Sequence, residues 1–139
     1  MAILLSPEVR AWIEAHREED PQRLALAKHP AGFPKVLAVG QVALLQKAAS
    51  KLPFWVAKQA ILPPRAYEQA TSETLAAAKP WGQGQRALDL TCGLGVDSRA
   101  IAQHYTEVVS LEPDAVLADV VRFNFNLFGV ACIPSAANA

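Results

Sequence analysis

Residues 87–98, ALDLTCGLGVDS, constrain the fold of this chain more than any other segment. A short apolar run contains Asp89, two glycines follow at positions 93 and 95, and Asp97 and Ser98 come next. This order predicts a buried strand, a tight glycine turn and the first turn of a helix. Glycines leave the backbone open to close approach, because no Cβ stands in the way. The segment therefore predicts a nucleotide-type site at the end of a strand.

The residues after the turn repeat the order of strand and helix. Residues 107–113, EVVSLEP, predict a second strand, and residues 114–129, DAVLADVVRFNFNLFG, predict a second helix. Four apolar residues of that helix are predicted to share one face, namely Val116, Val120, Phe123 and Leu127. Strands that alternate with helices form a parallel sheet with right-handed crossovers, so the predicted fold class is α/β.

The part of the chain before the turn is predicted to be helical. Ser6-Pro7 and Asp20-Pro21 each place a capping side chain before a proline that suits the first helical position. A third, longer helix is predicted from Pro34 to about Ser50. Pro53, Pro63 and Pro64 predict a break in regular structure after it, with Phe54 and Trp55 anchored in a core.

Three regions follow from these patterns. Residues 1–62 are predicted to form an N-terminal helical region, and residues 63–85 a connector and a helix that precede the glycine turn. Residues 86–139 start a Rossmann-like domain that is truncated after its first βαβα part.

Composition limits the class of protein. Hydrophobic residues make up 52% of the 139 residues, which is enough for a core, and 13 basic residues balance 13 acidic ones. The sequence lacks the overall basic excess that is typical of nucleic-acid-binding proteins. It also has no apolar run long enough to predict a membrane span. Two cysteines without a CxxC pair predict a cytoplasmic protein, and three scattered histidines predict no metal site.

Two phosphate-binding patterns fit the turn poorly. A P-loop needs GxxxxGK[ST], and the turn has no such lysine. A dinucleotide fingerprint needs GxGxxG, and Ser98 stands at its third glycine, where a side chain is expected to crowd the helix against the strand.

The remaining pattern joins Asp89, Gly93 and Gly95 to Glu112, which lies at the tip of the second predicted strand. In these residues the chain resembles the class I S-adenosylmethionine-dependent methyltransferases. The resemblance implies that Asp89 serves the methionine end of the cofactor and that Glu112 accepts both ribose hydroxyls. It also implies that Thr91 and Cys92 lie beside the ligand, Cys92 as a small residue and not as a nucleophile.

A narrower resemblance covers more of the chain. Residues 68–73, EQATSE, and residues 122–130, RFNFNLFGV, look like bacterial methyltransferases that have an N-terminal helical region and a downstream THUMP-like domain. That group is similar to the trimethylguanosine-synthase type of RNA methyltransferase. The resemblance implies that Thr71 and its neighbours Ser72 and Glu73 lie over the cofactor, whereas an ordinary helix cap is the other interpretation. Asp97 is likewise either a helix cap or a cofactor contact.

The resemblance also implies parts that this sequence lacks. An adenine contact after the third strand and an Asn/Asp-Pro-Pro acceptor motif after the fourth are missing, although Asn138 aligns close to the first of these. The chain is therefore expected to be an inactive part of a methyltransferase that acts on RNA. Its second strand is expected to lack an outer neighbour, and its exposed strand edges are expected to promote self-association.

Two other functions remain open at the level of sequence. A non-catalytic nucleotide-binding or protein-interaction module fits the missing acceptor motif. An NAD-dependent oxidoreductase fits the two glycines, but Ser98 and the aspartate within the strand disfavour it.

Overall fold

Helices fill the first half of the chain, and strands alternate with helices in the second half. The computed structural model describes residues 1–130 and 132–135. The helices are α1 (Pro7–Ala15), α2 (Pro21–Leu26), α3 (Lys35–Ala48), α4 (Pro53–Ala57), α5 (Pro64–Gln69), α6 (Glu73–Ala78), α7 (Val96–Ile101) and α8 (Ala115–Phe128). The strands are β1 (Gly84–Asp89), β2 (Tyr105–Leu111) and β3 (Cys132–Ser135), and a short 3-10 helix at Ala2–Leu5 precedes α1. None of the helices in these ranges is long and apolar enough to span a bilayer.

The three strands form one parallel sheet in the order β1-β2-β3. Asp89 pairs with Ser110 across the first pair, and Leu111 pairs with Ser135 across the second. The predicted α/β fold, a helical region followed by the first part of a Rossmann-like sheet, is confirmed. The expectation that the second strand lacks an outer neighbour is wrong, because the four residues of β3 pair along its far edge.

The two faces of the sheet differ in exposure. Val108 and Ser110 are 2% and 0% exposed on the face that α7 covers. Leu88 and Leu90 point to the other face and are 58% and 53% exposed. Within residues 1–130 and 132–135, no strand pairs with the far edge of β1. In the described part of the chain, the face with Leu88 and Leu90 is therefore the more exposed face of the sheet.

Most of the predicted helix starts are present. The Asp20 carboxylate accepts a hydrogen bond from the backbone N–H of Gln22 at 2.9 Å, which caps α2. The predicted third helix corresponds to α3. Pro7 begins α1, but the Ser6 side chain makes no capping hydrogen bond.

The segment predicted to be irregular contains two short helices. Pro53 is the first residue of α4 and Pro64 is the first residue of α5. Proline suits this position because its fixed φ is helical and its missing N–H has no partner in the first turn of a helix. Phe54 and Trp55 do anchor the segment: Trp55 is fully buried, and both rings contact Phe128 edge-on at centroid distances of 5.0 Å.

The buried side of α8 differs from the predicted face. Val116 is 57% exposed, whereas the most buried residues of the helix are Ala118, Val120, Val121, Asn124 and Phe125. The prediction considered only apolar residues, but the polar residue Asn124 is also buried in the core. The reason lies in the partner of that amide.

Residues Ile61 and Leu62 are held between two buried amides. Asn124 of α8 accepts a hydrogen bond from the Ile61 N–H and donates one to the Ile61 carbonyl, each at 2.8 Å. Gln41 of α3 makes the same pair of bonds with Leu62, at 2.9 and 2.7 Å. The two amides satisfy four backbone groups that have no water available. They also connect α3 and α8 through residues 61–62, just before α5 begins.

Candidate functional site

A cavity of about 570 Å³ lies beyond the carboxyl ends of β1 and β2. Ligands of parallel α/β folds bind in this position, and the volume suits a nucleotide-sized molecule. Its walls come from the glycine turn at residues 91–97, from α5 and the loop after it, and from the start of α8. Seven of the eight predicted binding residues line it, namely Thr71, Thr91, Cys92, Gly93, Gly95, Asp97 and Glu112.

Glu112 is a buried carboxylate on the cavity wall. The residue is 7% exposed. One carboxylate oxygen, Oε2, accepts a hydrogen bond from the Gly93 N–H at 3.0 Å, and Oε1 accepts one from the Asp114 N–H at 2.9 Å. Because a carboxylate has about four acceptor positions, two remain for a ligand. The glycine turn and the start of α8 thus orient this side chain before any ligand binds.

The two glycines of the turn have different roles. Gly93 has a φ of 53°, and a Cβ added to it would meet nothing within 4 Å. Gly95 has a φ of 86°, and its added Cβ would lie 2.6 Å from Cζ of Phe125. Both positions favour glycine through φ. Gly93 therefore leaves space on the ligand side, whereas Gly95 also permits close packing against α8.

Asp89 lies beneath the turn and does not line the cavity. Its Oδ1 accepts a hydrogen bond from the Thr91 N–H at 3.0 Å, and its Oδ2 accepts one from the Ser98 hydroxyl at 2.5 Å. Ser98 and Ser110 are also joined, with their hydroxyl oxygens 2.7 Å apart. A hydroxyl has one proton, so Ser98 donates to the carboxylate and accepts from Ser110. Asp89 thus stabilises the turn itself, and its direct role at the methionine end stays a prediction.

Ser98 occupies the position that the dinucleotide pattern reserves for glycine, and the structure explains why a side chain fits. The residue is fully buried, and its hydroxyl lies between the Asp89 carboxylate and the Ser110 hydroxyl. The expected crowding is absent, because the hydrogen bonds join α7 to both strands. The acid in the first strand and the serine in the following helix therefore form a pair.

Asp97 lies at the start of α7 and has one unused acceptor. Its Oδ2 is 2.7 Å from the Lys79 ammonium, while its Oδ1 is buried and has no hydrogen-bond partner in the described part of the chain. The residue lines the cavity. A buried oxygen without a partner is unfavourable, so this position suits a donor from a ligand or a water molecule.

The side chains of Thr71, Ser72 and Glu73 have three different locations. Thr71 lines the cavity. Ser72 caps α6 by accepting a hydrogen bond from the Leu75 N–H at 3.1 Å, so the cap interpretation is correct for this residue. The Glu73 carboxylate accepts hydrogen bonds from the Phe54 and Trp55 N–H groups and caps α4.

Arg99 joins this cap to α7. Its guanidinium carbon lies 3.5 Å from the centroid of the Phe54 ring, which is a cation–π distance. Burial lowers the pKa of the Arg99 guanidinium from its ordinary value, and the nearby Glu73 carboxylate opposes that shift. The contact between Arg99 and Phe54 packs α4 of the helical region against α7, the helix that follows the glycine turn.

Sequence reasoning missed several residues of the cavity. Arg65 and Asp114 line it, as do Val116 and Leu117 at the start of α8. Asp114 caps α8 through the Val116 N–H at 2.9 Å, and an aspartate before an apolar helix was a signal for that role. No pattern distinguished Arg65. Asn138 lies outside the described residues, and no cluster of metal-binding side chains occurs within them.

One solved structure has the same fold over almost the whole chain. A protein described as a putative methyltransferase from Porphyromonas gingivalis W83 matches with a TM-score of 0.79 and 22% sequence identity. The match covers 93% of this chain and 34% of that chain, so this chain spans about a third of its neighbour's length. At this identity the likeness establishes the fold alone, an α/β arrangement that this chain shares with its neighbour. No family model and no curated protein matches the chain.

Proposed function

We propose that this chain supplies the methionine and ribose half of an S-adenosylmethionine site in a class I methyltransferase. The main support is the Glu112 carboxylate, which lines the cavity. Each of its two oxygens accepts a hydrogen bond from a different backbone N–H, and these bonds orient it. A carboxylate held in this way is suited to accept hydrogen bonds from two neighbouring ribose hydroxyls. The name of the structural neighbour supports the same activity.

The rest of the cavity fits the cofactor. Gly93 leaves open space where the cofactor backbone would approach the turn. The Asp97 Oδ1, which has no partner among the described residues, suits the α-ammonium of the methionine part, which donates hydrogen bonds and carries a positive charge. When bound, S-adenosylmethionine supplies a sulfonium-linked methyl group that an acceptor displaces in line. The residues of this chain bind and orient the cofactor, and no general base among them is assigned.

RNA is the proposed methyl acceptor. The support is the resemblance of residues 68–73 and 122–130 to the trimethylguanosine-synthase type of methyltransferase. The sequence has no Asn/Asp-Pro-Pro motif, so the proposal assigns the acceptor pocket to other residues and expects this chain alone to bind cofactor without transferring methyl. The proposed location is the cytoplasm, which suits a chain with two cysteines and no CxxC pair.

A second copy of the chain is the other proposed partner. Among the described strands none pairs with the far edge of β1, and exposed Leu88 and Leu90 lie beside that edge. On the same face Arg86 and Glu107 form an ion pair at 3.0 Å, with side chains 80% and 53% exposed. In a two-fold dimer each arginine would be able to meet the glutamate of the other copy, so the face is complementary to itself.

Calorimetric titration with S-adenosylhomocysteine tests the cofactor. The wild-type chain is compared with Glu112→Gln and with the matched control Glu107→Gln, an exposed acid on β2 that does not line the cavity. Loss of the ribose contact is expected to weaken binding about 10- to 100-fold in Glu112→Gln and to leave the control unchanged. Asp89→Ala is expected to weaken binding as well, because it loosens the turn.

Two ligand controls separate the ribose contact from a loss of structure. The 2′-deoxy analogue of S-adenosylhomocysteine lacks one hydroxyl, so the wild type should bind it more weakly than S-adenosylhomocysteine. The Glu112→Gln variant should bind the two ligands equally well. NAD is the second control. Binding of NAD without binding of S-adenosylhomocysteine would replace the proposal with an oxidoreductase.

A further inference from the structure

Arg65 is the one side-chain cation on the cavity wall among the described residues. The other charged side chains there belong to Asp97, Glu112 and Asp114, and all three are acids. Arg65 is exposed, and it makes no ion pair or hydrogen bond with any residue in the described part of the chain. A guanidinium that shares a cavity wall with three carboxylates and binds none of them is available to a ligand.

The backbone that carries Arg65 is held firmly. Pro63 and Pro64 precede it and restrict φ at the start of α5. Just before them, the Asn124 and Gln41 amides hold both backbone groups of Ile61 and Leu62. A binding residue on such a support gains affinity, because little backbone freedom is lost when the ligand binds.

Charge determines which group of the ligand Arg65 suits. S-adenosylmethionine has two cationic groups, the sulfonium and the α-ammonium, and one anionic group, the α-carboxylate. The acids of the cavity suit the cations and the ribose hydroxyls, but they repel the carboxylate. Arginine binds carboxylates through two parallel hydrogen bonds, which adds specificity as well as affinity.

We infer that Arg65 binds the α-carboxylate of the cofactor and thereby selects ligands that carry an intact amino-acid end. This inference rests on the proposed function of the cavity. It assigns Arg65 to specificity and not to methyl transfer.

Binding measurements with two ligands test the inference. S-adenosylhomocysteine and its decarboxylated analogue, S-(5′-adenosyl)-3-thiopropylamine, are titrated into the wild type, Arg65→Ala and Arg65→Lys. Arg23→Ala is the matched control, since Arg23 is also exposed and lies on α2, away from the cavity. Arg65 is exposed, so its variants should unfold at the same denaturant concentration as the wild type.

Arg65→Ala is expected to bind S-adenosylhomocysteine about 10- to 100-fold more weakly than the wild type, because a charged hydrogen-bonded pair is lost. It should bind the decarboxylated analogue as well as the wild type does. Arg65→Lys should recover part of the loss, and Arg23→Ala should change neither affinity.

Three outcomes would overturn the inference. Unchanged affinity of Arg65→Ala for S-adenosylhomocysteine removes the contact altogether. Equal losses for both ligands assign Arg65 to another part of the cofactor. A wild-type chain that binds neither ligand rejects the proposed function itself, which distinguishes that failure from the first two.

Discussion

Gly95 and Phe125 lie so close that a single methyl group would not fit between them. A Cβ on Gly95 would lie 2.6 Å from Cζ of the Phe125 ring, and that ring is 1% exposed. The glycine turn therefore packs directly on the core side of α8. This contact links the shape of the cavity to the position of a helix that follows β2.

Replacement of the two turn glycines should show this difference. Gly95→Ala is expected to lower the free energy of unfolding by about 2–5 kcal/mol, since it combines left-handed strain with overpacking. Gly93→Ala has the strain alone and is expected to lower it by about 1–2 kcal/mol. Urea unfolding of both variants measures the difference, and equal losses would contradict it. Phe125→Leu should partly rescue Gly95→Ala, because the two residues are in contact.

The part-buried pair of Asp89 and Ser98 should contribute to stability in the absence of any ligand. Ser98→Ala removes the hydroxyl donor of the carboxylate and is expected to lower the free energy of unfolding by about 1–3 kcal/mol. Ser50→Ala, at an exposed serine after α3, should stay within about 0.5 kcal/mol of the wild type. Thermal or urea unfolding measures both. Similar values for the two variants would mean that the pair adds nothing.

Loss of the Asn124 amide should be among the most destabilising changes on α8. Asn124→Ala leaves the N–H and carbonyl of Ile61 buried without their partner, which is expected to lower the free energy of unfolding by about 2–5 kcal/mol. Asn126→Ala is the control, because Asn126 is exposed on the same helix. If both variants unfold at the same urea concentration, the amide does not hold the segment.

Self-association through β1 predicts a concentration-dependent mass. Sedimentation of the wild type should show dimers at micromolar concentration, and Leu88→Lys should be a monomer, because lysine on an edge strand opposes pairing. Leu26→Lys should still form dimers, since Leu26 is 87% exposed but lies on α2. A wild-type monomer at every concentration would remove the proposal.

Local patterns predicted the strand, the glycine turn and the acid after β2, because each depends on residues close together in sequence. They failed where a contact joins distant residues. Prolines at positions 53 and 64 indicate a break or a helix start equally well, and only packing decides between them. Asn124 interrupts an apolar face, and its partner Ile61 is 63 residues away.

Arg65 was missed for a related reason. A lone arginine after two prolines has no motif, and its importance comes from the cavity that the fold builds around it. Asp89 shows the opposite case. Its position in the sequence pattern was recognised, but its carboxylate turns away from the cavity toward Ser98.

The bonds between Asn124 and Ile61 also set an order of events during synthesis. Chains emerge from the ribosome N-terminus first, so the helices before Ile61 are complete long before α8 exists. Until then Ile61 has no amide from α8, and the wall that carries Arg65 lacks one of its two supports. A nascent chain therefore cannot complete the wall of the cavity until α8 has been translated.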